Sequence, residues 1–111
     1  METYNVDYAW AWGTRRTGDP ITLRAHFRFA SEDIAKRATR EFFDALMREH
    51  GFHGAGGWAA ELAGSRQAER AIDFTAGGED VADAIGYAAE DAVEHFSRYP
   101  GTTVSWEQQP Y

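Results

Sequence analysis

His50 and His53 stand three residues apart, beside Glu49 and within the run Gly51-Phe-His-Gly-Ala-Gly-Gly57. Two kinds of chemistry could use such a set. Imidazoles and a carboxylate are ligands for a divalent metal, but metal sites take three or four convergent groups. His26, His95 or further carboxylates would have to arrive from distant parts of the chain. Alternatively, Gly51, Gly54, Gly56 and Gly57 could cradle a phosphate. A dinucleotide fingerprint follows a strand and opens a helix, whereas these glycines follow a helical pattern, with no Gly-Lys-Ser/Thr. The segment reads as a connector carrying neither metal nor cofactor. No serine-centred elbow is present, and the absence of cysteine excludes disulfides and thiolate chemistry. No catalytic residue is assigned.

Arg15 and Arg16, followed by Arg24, His26 and Arg28 at alternate positions, form the one basic cluster. Beside Trp10, Trp12 and Phe27 they have the composition of a single-strand platform, rings for bases and guanidinia for phosphates. Strand alternation, however, sends the rings and the arginines to opposite faces. The expected result is rings in the core, arginines in solvent and no direct nucleic-acid binding.

The acids are spread less evenly. Residues 71–97 hold Asp73, Glu79, Asp80, Asp83, Glu90, Asp91 and Glu94 with no Lys or Arg. The remaining 84 residues carry eleven acids against eleven bases, so the net charge of −7 belongs to one quarter of the chain. On a helix, Glu79, Asp80, Asp83, Tyr87, Glu90, Asp91 and Glu94 fall within an arc of roughly 120° and along about 20 Å. Val81, Ala84, Ile85, Ala88, Ala92, Phe96 and Tyr99 point the other way. Glu90 and Glu94, four residues apart with no base in reach, repel one another. A solvated face accounts for this plainly; a basic partner that supplies the counter-charge accounts for it functionally. Asp80, Asp83, Tyr87, Glu90, Asp91 and Glu94 are the candidate partner-binding residues.

The elements that must position these groups follow from periodicity. Residues 3–12 alternate, with Tyr4, Val6, Tyr8, Trp10 and Trp12 on one side, and predict a strand. Residues 21–29 alternate again, and pairing Trp12 with Ile21 and Trp10 with Leu23 makes a hairpin over the loop 13–20. Ser31 is placed as a helix N-cap, with Glu32 and Asp33 in the first turn. An apolar stripe follows through Ile34, Ala35, Ala38, Phe42, Ala45 and Leu46. Four i,i+4 pairs are expected on that helix: Glu32–Lys36, Asp33–Arg37, Arg40–Asp44 and Asp44–Arg48. Gly51 should end it in the left-handed conformation. Residues 58–63 fit strand by alternation and helix by composition, with a slight preference for an extended segment turning at Gly64-Ser65. Residues 70–76 predict a strand with Ile72 and Phe74 inward. The second helix runs over 78–99 and stops at Pro100. Residues 102–108 close the chain as a strand with Val104 and Trp106 inward.

Without the first strand this order is β-α-β-β-α-β, that of the ferredoxin-like fold. One apolar stripe per helix and one apolar face per strand predict an α+β two-layer sandwich, both helices on one side of the sheet. An extra N-terminal strand would form the hairpin, and residues 1–111 make a single domain. Gly77-Gly78-Glu79-Asp80 resembles the signature of cyclic-dinucleotide synthases, which share a ferredoxin-like core. In that family the signature sits in a hairpin turn of a much longer domain and binds metal and nucleotide. Here it leads straight into a helix, where the dipole accounts for two acids.

Composition narrows the functions. Net acidity opposes nucleic acid and anionic lipid, no apolar run reaches the roughly 20 residues of a membrane span, and no basic start or apolar h-region signals export. A cytoplasmic location is expected. In general character the chain resembles bacterial immunity proteins and phage-encoded anti-defence inhibitors, small acidic domains that block basic nucleases or nucleic-acid-handling complexes. That resemblance implies a non-enzymatic inhibitor docking its acidic helix on a basic protein surface. Two alternatives remain: a ligand-binding or enzymatic domain with a pocket near residues 51–57, using His50, His53, Trp58 and His26, and a self-assembling protein pairing through an edge strand into a homodimer.

Overall fold

The computed structural model describes residues 1–13 and 18–110. Arg15 and Arg16, placed in the basic cluster above, lie outside them. Ser31 caps the first long helix, α2 (Glu32–His50), its hydroxyl accepting from the Ile34 amide at 3.2 Å. Gly51 ends it at φ 79, donating its N–H to Met47 O at 2.9 Å. The second, α3 (Val81–Phe96), is shorter than the 78–99 expected, because Gly77 and Gly78 complete the preceding strand and residues 97–101 form turns.

The strands are β1 (Gly18–Arg28), β2 (Gly54–Ala55), β3 (Trp58–Arg66), β4 (Glu69–Gly78) and β5 (Thr103–Gln108). They form one antiparallel sheet in the order β2-β3-β4-β1-β5. The order β1-α2-β3-β4-α3-β5 is ferredoxin-like, α+β in two layers. Alternation drives it: Ile21, Leu23, Ala25 and Phe27 of β1 are buried, as are Ile72, Phe74 and Ala76 of β4. Phe27 and Phe42 lie 4.4 and 5.1 Å from Phe96 and join strand, α2 and α3 in one core. Alanines 84, 88, 89 and 92 let α3 lie close over the sheet.

The N-terminal strand and its hairpin are corrected. Residues 1–7 form no strand, and α1 (Tyr8–Trp12) is a short helix. Asp7 caps it by accepting from the Trp10 amide at 3.0 Å, and Gly13 closes it with an N–H to Ala9 O at 2.8 Å. Both edges of β1 are already taken: Leu23 faces Phe74 on β4 and Gln108 on β5, which leaves Trp10 no strand to pair with. The segment instead packs beside β5. The Tyr4 and Trp106 rings lie 5.6 Å apart, and Tyr4 OH donates to Gln108 Oε1 at 2.9 Å. Trp10 Nε1 donates to Gln109 O at 3.0 Å.

Two smaller points differ. Residues 58–63 lie in β3, which runs past Gly64-Ser65; the turn comes at Gln67-Ala68, with Gln67 at φ 53. The register shifts between Leu62, opposite Ile72, and Gly64, opposite Ala71, which makes a bulge at Ala63 rather than a turn. The connector 51–57 contains the short strand β2, where Gly54 is required by close approach: a Cβ there would lie 2.3 Å from Trp58 O.

Candidate functional site

Asp80 is the N-cap residue of α3, its carbonyl accepting from the Ala84 amide at 2.9 Å while its side chain makes no cap bond. From there Asp83, Tyr87, Glu90, Asp91 and Glu94 are all exposed, Tyr87 at 59%, while Val81, Ile85, Ala88, Ala92 and Phe96 are buried. The predicted stripe is therefore one continuous outer face. Among the described residues, none of its acids has a Lys, Arg or His nitrogen within 4.0 Å. Partial burial raises the Asp91 pKa, and the charges of Glu94 and then Glu90 raise it further, against a small opposing effect of His50. The crowding of like charge is thus a feature of the folded helix.

The stripe connects two depressions. At its start, a cleft of about 580 Å³ lies between the Gly56-Gly57 turn and α3, lined by Gly77, Gly78, Glu79, Asp80, Asp83 and Tyr87. At its other end Asp91 and Glu94 share a groove with Glu49 and His50 of α2 and with Arg98, four residues after Glu94, closed beneath by Phe42, Leu46 and His95. Gly77-Gly78-Glu79-Asp80 forms this strand-to-helix connection, unlike the hairpin turn of the synthase signature.

The basic row has a different environment. Arg24 donates to Asp73 through two nitrogens at 2.7 and 3.0 Å, His26 Nε2 lies 2.7 Å from Glu107, and Arg28 lies 3.7 Å from Glu69. All three are cross-strand pairs on the open sheet face. Phe27 between them is buried on the opposite face as expected, whereas Trp10 and Trp12 lie on α1, with Trp12 exposed instead of in the core. On α2, of the four pairs expected, only Glu32–Lys36 lies within 4.0 Å, at 3.6 Å. Arg37 instead sits 5.9 Å from the Tyr99 ring centroid. The contrast that isolates the α3 acids is therefore with the sheet face, through partners 41 to 81 residues away that local spacing does not show.

The candidate histidines separate. His50 faces the α2–α3 groove, the His53 ring lies 5.0 Å from Phe43 at a tilt of 60°, and His26 lies on the open sheet face. Trp58 is a core residue, 5.7 Å from Phe74. No group of three or more metal-ligating side chains converges among the described residues, and no described helix is long and apolar enough to cross a membrane.

No protein-family model matches the chain, and no curated protein matches it. Among solved structures it is similar to LFR1 1, a de novo designed protein with a ferredoxin fold determined by solution NMR. The TM-score is 0.53 at 18% identity, over 83% of this chain and 86% of that one. At that identity the likeness concerns the fold alone.

Proposed function

We propose that this chain is a non-enzymatic binding protein that docks the outer face of α3 on a basic surface of a protein partner, of the kind found on nucleases and nucleic-acid-handling complexes. One observation carries the reading. Each cation of β1 meets an acid across the sheet, whereas among the described residues no acid of α3 has a base nitrogen within 4.0 Å, His50 and Arg98 flanking Asp91 and Glu94 only at longer range. Charge left uncompensated along one rigid helix costs the free protein a little and is recovered when a partner brings the opposite charge. Tyr87 supplies the aromatic contact such interfaces favour, half-exposed amid the acids.

The test uses the chain as bait in an extract of its native host, beside Asp83→Lys/Glu90→Lys/Glu94→Lys. The proposal expects a protein held by the unmodified bait at low salt, released at high salt and missed by the triple variant. Equal capture by both baits refutes it.

A further inference from the structure

We propose that the open face of the sheet carries a second site, a hollow that takes a small phosphate monoester. The hollow has a volume of about 430 Å³ and lies at the β3–β4 hairpin end of the face. Its floor is low because Gly64, Ala71 and Ser105 of that row are small, while the one large side chain between them, His26, is bonded to Glu107 at 2.7 Å. Arg66 and Arg28 stand on either side of Glu69 in the neighbouring row, which ends in Thr103.

Among the described residues of that face, charge favours an anion at this end. Arg28 and Arg66 line the hollow from the open face, with Glu69 as its one acid. Arg66 has no carboxylate within 4.0 Å among the described residues, and Arg28 reaches Glu69 only at 3.7 Å. Arg70 is just 5% exposed, yet its guanidinium donates to the carbonyls of Gln67 (2.9 Å) and Glu69 (2.6 Å) and to no acid. It shares the inward row with Phe27, so its charge, held by backbone carbonyls, acts from behind the sheet while Arg28 and Arg66 face the hollow. A tetrahedral dianion matches two mobile guanidinium forks and the Thr103 and Ser105 hydroxyls, donors that approach from different directions.

The same face selects for size. Two residues further along the strands, Glu61, Asp73, Arg24 and Glu107 face one another in sequence, three acids to one base. A polyanion running from the hollow along the sheet meets that row and is repelled; a single phosphate on a small polar body does not reach it. Among the described residues no exposed aromatic ring lines the hollow: Phe27 is buried beneath it, and Phe52 stands further along the face beside Ala59, Glu61 and Thr75.

The experiment titrates the ¹⁵N-labelled full chain with glycerol phosphate, with glycerol as the neutral twin and a short oligothymidylate as the polyanion. The expected result is saturable shifts at residues 26–28, 64–71 and 103–105 with glycerol phosphate and none with glycerol. Arg66→Ala weakens the binding by about tenfold or more, Ser105→Glu does likewise, and Arg40→Ala on α2 leaves it unchanged. Both site variants alter exposed residues, and their dispersed spectra confirm that they fold. Absence of saturation by about 20 mM, equal affinity of the Arg66 variant, or tighter binding of oligothymidylate overturns the proposal.

Discussion

Val6 packs against α3 at Gly86, so closely that a β-carbon on residue 86 would lie 3.1 Å from Val6 Cγ2. This contact anchors the N-terminal segment beside the helix that carries the acids. Alanine in place of glycine inside a helix gains about 1 kcal/mol, but here the methyl competes with Val6. Gly86→Ala is therefore expected to stabilise by roughly 0.5–1 kcal/mol in a Val6→Ala background and by measurably less in the unmodified chain. Denaturant unfolding of the four proteins measures the coupling. Equal gains in both backgrounds would show that the contact carries no energy.

Asp91 pays for its neighbours. Its pKa is raised by partial burial and by Glu94 and Glu90, so its folded value exceeds its unfolded one. Such a group favours the folded state fully below its unfolded pKa, and that contribution is lost as pH rises through the folded pKa. Asp91→Asn is expected to raise the thermal midpoint at neutral pH by the equivalent of a few tenths of a kcal/mol, allowing for solvent screening. At a pH below the carboxylate range the gain disappears. A gain that is the same at both pH values would mean that charge is not its cause.

His95 runs in the opposite direction. Burial lowers its pKa below 6.5, against a partial restoring effect of its Nε2 hydrogen bond to Ala38 O at 3.2 Å. Arg98 lowers it further and Glu41 opposes this, while Glu49, His50, Asp91 and Glu94 line the same groove. The unfolded chain takes up a proton that the folded one resists, so stability falls as pH drops below about 6.5 and levels off beneath the folded pKa. His95→Gln removes that step. The difference between the two stability curves should open between neutral and mildly acid pH; parallel curves would refute the assignment.

Gln67 opens the β3–β4 turn at φ 53, a conformation that glycine adopts without strain. Gln67→Gly is expected to stabilise by about 0.5–1 kcal/mol, read as a shift in the denaturation midpoint. A loss of stability would show that the Gln67 side chain contributes a contact worth more than the strain.

The ferredoxin-like order was legible because its signals are local. Ser31 and Gly51 bound α2, alternation marks β1 and β4, and the 3.6-residue period of α3 sorts its acids from its alanines. The N-terminal segment misled for a physical reason. Tyr4, Val6 and Trp10 are apolar for packing beside β5 and α3, and their two-residue spacing imitates a strand whose pairing partner is already occupied. The turn at Gln67-Ala68 was hidden because Gly64-Ser65 has the better turn chemistry, yet it continues β3 just past a bulge, opposite Ala71 and Arg70. The stripe from Asp80 to Glu94 was visible from the helical period alone. What isolates it was not, since Asp73, Glu107 and Glu69 reach the β1 cations only through the sheet.

The most direct measurement is the association rate of the captured partner with this chain across a range of ionic strength, for the unmodified protein and for Asp83→Lys/Glu90→Lys/Glu94→Lys. Docking through the α3 stripe predicts a rate that falls steeply with salt, and a triple variant slower by about tenfold to a hundredfold at low salt with little salt dependence left. Superimposable rates for the two proteins at every salt concentration would contradict the claim that α3 is the docking surface.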